Sequence, residues 1–285
     1  MVCISVAFSG MDKGWRVATK ESWGLKLDRA EQHLKEFDAA AATFAARHPY
    51  VVERVVQPKR QRHIWLYRLR FTEQPDPMMA VVLGDVIENM RSCLDHIRCG
   101  LVPRRRRNKL LYFPAESVDP WERTGRKFVV RDPKVRSRYL SAVEGMAVQA
   151  KAIVEEMQPY QVGPKERHVH PLAVLNSLNN ADKHRRLIVL ALGLDEAVST
   201  TKVRGDIINQ TVPGFAVDGS EVAKFGFPGR PEPTESEVEV TVSGTPRIAV
   251  DVGLRNKYPE ASQMLWHILA ELRSTVGDLE PFVIP

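Results

Sequence analysis

Between Met78 and Val102 apolar side chains recur every three or four residues, at Leu83, Ile87, Met90, Leu94, Ile97 and Leu101. At about 100° per residue these six fall in one narrow arc, so the stretch predicts a long helix with a continuous apolar seam. A seam of this length has to be covered by other apolar surfaces, which makes a helical core the first requirement on the fold. Its shoulders are polar. Arg91 lies roughly 100° to one side of Met90 and His96 roughly 120° to the other. Asp95 follows Arg91 by four residues, the spacing of a helical ion pair. The plain reading makes Arg91–Asp95 a surface pair and His96 a boundary residue. The functional reading needs a second packed element to complete a polar cleft.

The covering elements are legible on either side. Leu25–His48 carries Leu27, Ala30, Leu34, Phe37, Ala41 and Phe44 at helical steps and ends at Pro49. Tyr50–Val56 and Ile64–Phe71, rich in β-branched and aromatic residues, predict a β-hairpin. A third helix is expected over about Lys134–Met157, ending at "QPY", and a fourth begins at Pro171 in "PLAVLNSLNNADKHRR". "LIVLALG" reads as a buried strand. Beyond it, Gly214–Val217, Val238–Val242 and Ile248–Val252 read as short strands, with "SGTP" as a hairpin turn. Tyr258–Gly277 is the last helix, striped by Leu265, Ile268, Leu269 and Leu272. The expected class is α+β, a helical bundle core with an early β-hairpin, a C-terminal antiparallel β-sheet and a final helix. Residues 1–192 form a helical region with the hairpin inserted at about 50–71. Residues 193–285 form a β-rich region with the last helix, packed on the first as one unit.

Apolar residues make up 44% of the 285 and charged residues 27%, the balance of an ordinary globular protein. No apolar run approaches the roughly 18–20 residues of a membrane span. The opening "MVCISVAFSG" lacks the basic start of a leader peptide. Cys3, Cys93 and Cys99 are an odd set without metal-site spacing, which predicts a reduced, cytoplasmic protein. Charge is unevenly spread: residues 1–140 hold 27 Lys+Arg against 16 Asp+Glu, and the remainder 14 against 19. The surplus gathers in "RRRRNK", Arg104, Arg105, Arg106, Arg107 and Lys109, with a lesser cluster in "PKRQRH". Such a run is either a solvated loop or a grip for a phosphate backbone, which arginine pairs bidentately.

A second dense stretch is "NSLNNADKHRR". On a helix, Asn176, Asn180 and His184 fall on one line, with Lys183 beside them. Capping and the helix dipole account for cations at a C-terminus. Alternatively Asn180, Asp182, Lys183 and His184 face Arg91 and His96 across a cleft, orienting a histidine or binding ribose or base. His168 and His170, in "ERHVHP", add an H-x-H pair that with Asp182 or His184 offers a metal-dependent hydrolase as a third alternative. The P-loop, dinucleotide-binding and G-x-S-x-G patterns are absent, which argues against those chemistries.

"MRSCLDH" resembles the Arg-x4-His motif of HEPN-domain ribonucleases. That resemblance implies a dimeric helical bundle, a metal-independent endoribonuclease with no cofactor, and a toxin-like or antiviral role. Arg91 would stabilise the scissile phosphate and His96 would act as general acid or base, chemistry that needs no metal. Across about Lys26–Leu192 the set "LDRAEQHL", "GDVIENMRSCLDH", "QPY" and "NNADKHRRL" is similar to an uncharacterised bacterial family. The expectation is thus a nucleic-acid-directed protein, with RNA and a second copy as partners and no membrane. A non-enzymatic nucleic-acid- or protein-binding helical scaffold is the alternative.

Overall fold

The computed structural model describes residues 22–55, 64–107, 112–124, 127–129, 133–183, 190–204, 206–227, 231–250 and 260–284. Helix α1 (Ser22–Ala45) packs along the length of α2 (Pro77–Gly100), the seam helix. Asp76 caps α2 by accepting the Met78 N–H at 2.8 Å, and Pro77 occupies the first turn, where its missing N–H costs nothing. Leu83, Ile87, Met90, Leu94, Ile97 and Leu101 are all fully buried, as their arc requires. They are covered by α1, α6 (Pro171–Lys183) and α7 (Ala261–Leu279). Asp38 ties α7 to α1, accepting from Ser262 Oγ at 2.5 Å and Trp266 Nε1 at 2.8 Å. No described helix is long and apolar enough to cross a membrane.

The third predicted helix is two. α4 (Pro133–Val143) stops before Gly145, whose φ of +88° lies in the left-handed region that closes helices, and α5 (Val148–Glu156) restarts after it. Between α2 and α4 lie α3 (Arg104–Arg107) and a small hairpin, β3 (Glu122–Thr124) with β4 (Lys127–Val129), in a stretch expected to be irregular.

β1 (Tyr50–Val55) and β2 (Ile64–Phe71) form the expected hairpin, and β8 (Glu221–Gly226) adds a third strand to it. A second sheet is built on β5 (Leu190–Val203), flanked by β6 (Asp206–Thr211), β7 (Ala216–Val217) and β9 (Val238–Val250). "SGTP" is not a turn: β9 runs straight through it. Gly244 is there because β5 bulges opposite it between Asp195 and Val198. A Cβ on Gly244 would sit 3.1 Å from the Asp195 carbonyl oxygen and 3.2 Å from the Ala197 Cα. Pro246 is tolerated because, among the described residues, the only strand that pairs with β9 is β5, and the one bridge on its other side is at Ala249.

Two cores result. One joins the helices with Leu192, Ile248 and Val250; the other lies between the sheets around Trp65, Leu69, Leu194 and Val222. β5 and β9 pass from one to the other. The stretches before and after residue 192 therefore interleave, with β8 in the early sheet and α7 in the helical core.

Candidate functional site

Arg91 does not reach the surface. It is 4% exposed, and its partner is backbone: Nη2 donates to the Phe113 carbonyl at 2.6 Å. Asp95 lies 3.3 Å from the same nitrogen and accepts the Phe113 N–H at 2.7 Å. The pair read as a surface ion pair is thus a clamp on both polar groups of one peptide residue, its arginine buried and its carboxylate half-buried. Burial pushes the Arg91 guanidinium below its ordinary value, with Asp95 and Glu88 opposing. Its Nη1 is buried with no hydrogen-bond partner among the described residues.

The clamped residue begins a pinned wall, Phe113 to Glu116. Gln158, the first residue of "QPY", donates to the Pro114 carbonyl at 3.2 Å and accepts the Glu116 N–H at 2.9 Å. Tyr160 donates its N–H to the Glu116 carbonyl at 3.2 Å. The Glu116 carboxylate accepts from Arg138 at 2.6 and 2.5 Å, a two-pronged pairing in the fork geometry of arginine. Both main-chain groups of Phe113 and of Glu116, and the Pro114 carbonyl between them, are thus held by partners.

Opposite the wall stands α6. Asn176, Asn179 and Asn180, together with Arg91, Glu116, Arg138 and residues 112–115, line a cavity of about 600 Å³. The packing of α2 on α6 thus joins Arg91 to the asparagines of the second motif. The helices approach closely at Gly84, where a Cβ would lie 3.0 Å from Asp182 Oδ1. Asp182 therefore sits against the helix two turns before Arg91 and does not line the cavity.

His96 is elsewhere. It is exposed on the far shoulder of α2, with Nδ1 3.2 Å from Ser22 Oγ of α1. Burial of part of the ring and the charge of Lys26 push its pKa down, with Asp95 opposing. Arg91 and His96 therefore do not share a cleft within one chain. Arg104 and Arg105 are exposed on α3, at the start of the connection whose end is the cavity wall. The side chains of Arg106, Arg107 and Lys183, and all of Lys109 and His184, lie outside the described residues. His168 is exposed, while His170 Nδ1 accepts the Leu172 N–H at 3.3 Å and serves the start of α6. Among the described residues no three His, Cys, Asp or Glu side chains come together in a metal-binding group.

Sequence reasoning missed Glu116, Arg138, Gln158 and Asn179 as site residues. The only signal was that "LLYFP" and "QPY" each set a proline beside a residue whose polar groups need partners. Compared with protein-family models, curated proteins and solved structures, the chain matches none.

Proposed function

We propose that this chain is a nucleic-acid-binding protein that takes a phosphate-bearing nucleotide into the Arg91 cavity and holds the adjoining backbone on the arginines of α3. One observation carries the reading: Arg91, a buried guanidinium with one N–H group that has no hydrogen-bond partner among the described residues, contributes to the lining of a cavity large enough for a ligand. A buried N–H donor without a partner is costly, and an anionic group that reached it from the cavity would relieve that cost. Asparagine amides both donate and accept, which suits ribose or a base edge. Arg104 and Arg105 are exposed and precede the wall in sequence, and on this reading one bound strand engages both. Binding and not cleavage is the leading reading, because Arg91 and His96 face away from each other.

Metal-independent ribonuclease activity is the second reading, favoured by one observation. His96 is exposed with its pKa depressed, hence a neutral base near neutral pH, available to a strand held by another copy.

Labelled single-stranded RNA of mixed sequence, titrated in EDTA over a salt series, tests both. The expected result is binding that weakens steeply with salt. Replacing Arg104 and Arg105 by Ala should reduce the slope of log K against log salt by about 1.4, roughly 0.7 per lost phosphate contact. Arg91→Lys keeps the charge but loses the fork, and should weaken binding at every salt concentration. No binding at low salt, or binding indifferent to these changes, overturns the proposal. Cleavage in EDTA that His96→Ala abolishes replaces it with the ribonuclease.

A further inference from the structure

Every residue of β6 is exposed, including Ile207 at 63% and Ile208 at 41%, and among the described residues the strand pairs with β5 alone. The other outer strands are blunted in the ordinary ways. β1 carries Glu53 and Arg54, β8 carries Glu221 and Lys224, and β9 carries Glu239, Pro246 and Arg247. From Ile207 to Thr211 β6 has neither a charge nor a proline. An unprotected edge with apolar side chains is a template for another strand.

The register identifies the main-chain groups on offer. Arg204 donates its N–H to the Glu237 carbonyl at 3.4 Å, and the Thr200 carbonyl accepts from Thr241 Oγ1 at 3.5 Å. Residues 200 and 204 of this segment thus point toward β9. By alternation, Ser199, Thr201 and Val203 point their N–H and C=O groups toward β6. Their partners there are Gln210, Ile208 and Asp206. Ile207, Asn209 and Thr211 therefore turn their N–H and C=O groups outward.

We infer that β6 pairs with β6 of a second copy, antiparallel about a two-fold axis at Asn209. The register with the greatest overlap sets Asn209 opposite Asn209 of the other copy and Ile207 opposite Thr211. All six outward main-chain groups of each strand are then used. Ile208 meets Gln210, and Asp206 meets Val212, so no like charges face each other. This self-complementarity is what selects a second copy over a foreign peptide: the same patch serves both sides of an isologous contact. The inference is independent of the nucleic-acid reading.

Sedimentation of the full chain should give a dimer, and Ile207→Lys, which places a charge on the edge, should give a monomer with unchanged circular dichroism. Asn209→Pro removes an outward N–H that β5 does not use, and should likewise lose the dimer while keeping the fold. Asn209→Cys should form a disulfide-linked dimer on mild oxidation, because the facing Cα atoms of a hydrogen-bonded pair lie about 5.5 Å apart. Asp206→Cys should stay unlinked, its counterpart being roughly 20 Å distant at about 3.4 Å per residue of offset. A monomeric wild-type chain overturns the inference. So does a dimer that survives both edge substitutions, or one that links through residue 206 and not 209.

Discussion

Arg91 and His96, five positions apart on one helix, have opposite physical situations and should behave oppositely when removed. Arg91 and Asp95 hold the C=O and N–H of Phe113, the arginine from a buried position and the aspartate from a half-buried one. Arg91→Ala leaves that buried carbonyl unpaired, a change expected to cost about 1–3 kcal/mol. His96→Ala removes one hydrogen bond at an exposed position and should stay within about 0.5 kcal/mol. Urea unfolding of the two variants checks this, and equal effects would contradict the placement of Arg91. His96 also sets a pH dependence. Its folded pKa lies below the ordinary 6.5, as does that of His170, where burial is again the first cause. The unfolded chain therefore binds more protons in this region, and stability rises with pH. The contribution is complete above 6.5 and is lost as pH falls through 6.5 toward the folded values. Urea midpoints should drop between about pH 7.5 and pH 5.5, and less so in a variant carrying His96→Gln and His170→Gln. The carboxylates with depressed pKa, Glu31 and Glu237, act below their ordinary 4.5 and leave this window clear.

The crossing of α2 on α6 brings Arg91 and the asparagines to one cavity, and the two helices also meet closely at Gly84. Alanine there gains about 1 kcal/mol of helix propensity over glycine. Its Cβ, however, would stand 3.0 Å from the Asp182 carboxylate. Gly84→Ala should thus be neutral or destabilising alone, yet stabilising by about 1 kcal/mol in an Asp182→Ala background, where only the propensity remains. A double-mutant cycle by chemical denaturation measures the difference. Additive effects would mean that the two helices do not meet at these residues. Elements were legible wherever a single face is buried: the seam of α2, the stripe of α1 and the β1–β2 hairpin all follow from local periodicity. What periodicity does not carry is long-range. "SGTP" has the composition of a turn, and only the bulge in β5, some fifty residues earlier in the chain, makes Gly244 a strand residue. Likewise the helical arc placed Arg91 and His96 on opposite shoulders of α2. That Arg91 meets the chain at Phe113, 22 positions later, is a long-range contact that the helical arc does not carry.

At the scale of the whole molecule, the question is whether the helical core and the sheets can fold apart. Their connections argue against it. β2 lies between β1, its neighbour in sequence, and β8, which arrives about 150 residues later. Without β8, Ala223 and Val222 no longer cover Trp65, Tyr67 and Leu69, and the hairpin is left as a two-stranded ribbon, marginal in water. Without α7, the seam formed by Leu265, Ile268, Leu269, Leu272 and Val276 is withdrawn from α1 and α2, and Asp38 loses both its donors. Burying one such side chain contributes about 1.5–3 kcal/mol, so the loss of five exceeds much of the 5–15 kcal/mol that holds an ordinary domain folded. A chain ending at Leu192 should accordingly fail to fold: its near-ultraviolet circular dichroism should be featureless and its amides unprotected from exchange. The full chain should unfold in one transition, with helical circular dichroism and tryptophan fluorescence coincident, because β5 and β9 run through both cores. Two separated transitions, or a truncated chain with a cooperative melt, would show that the helical core stands alone and that the sheets are an appendage to it.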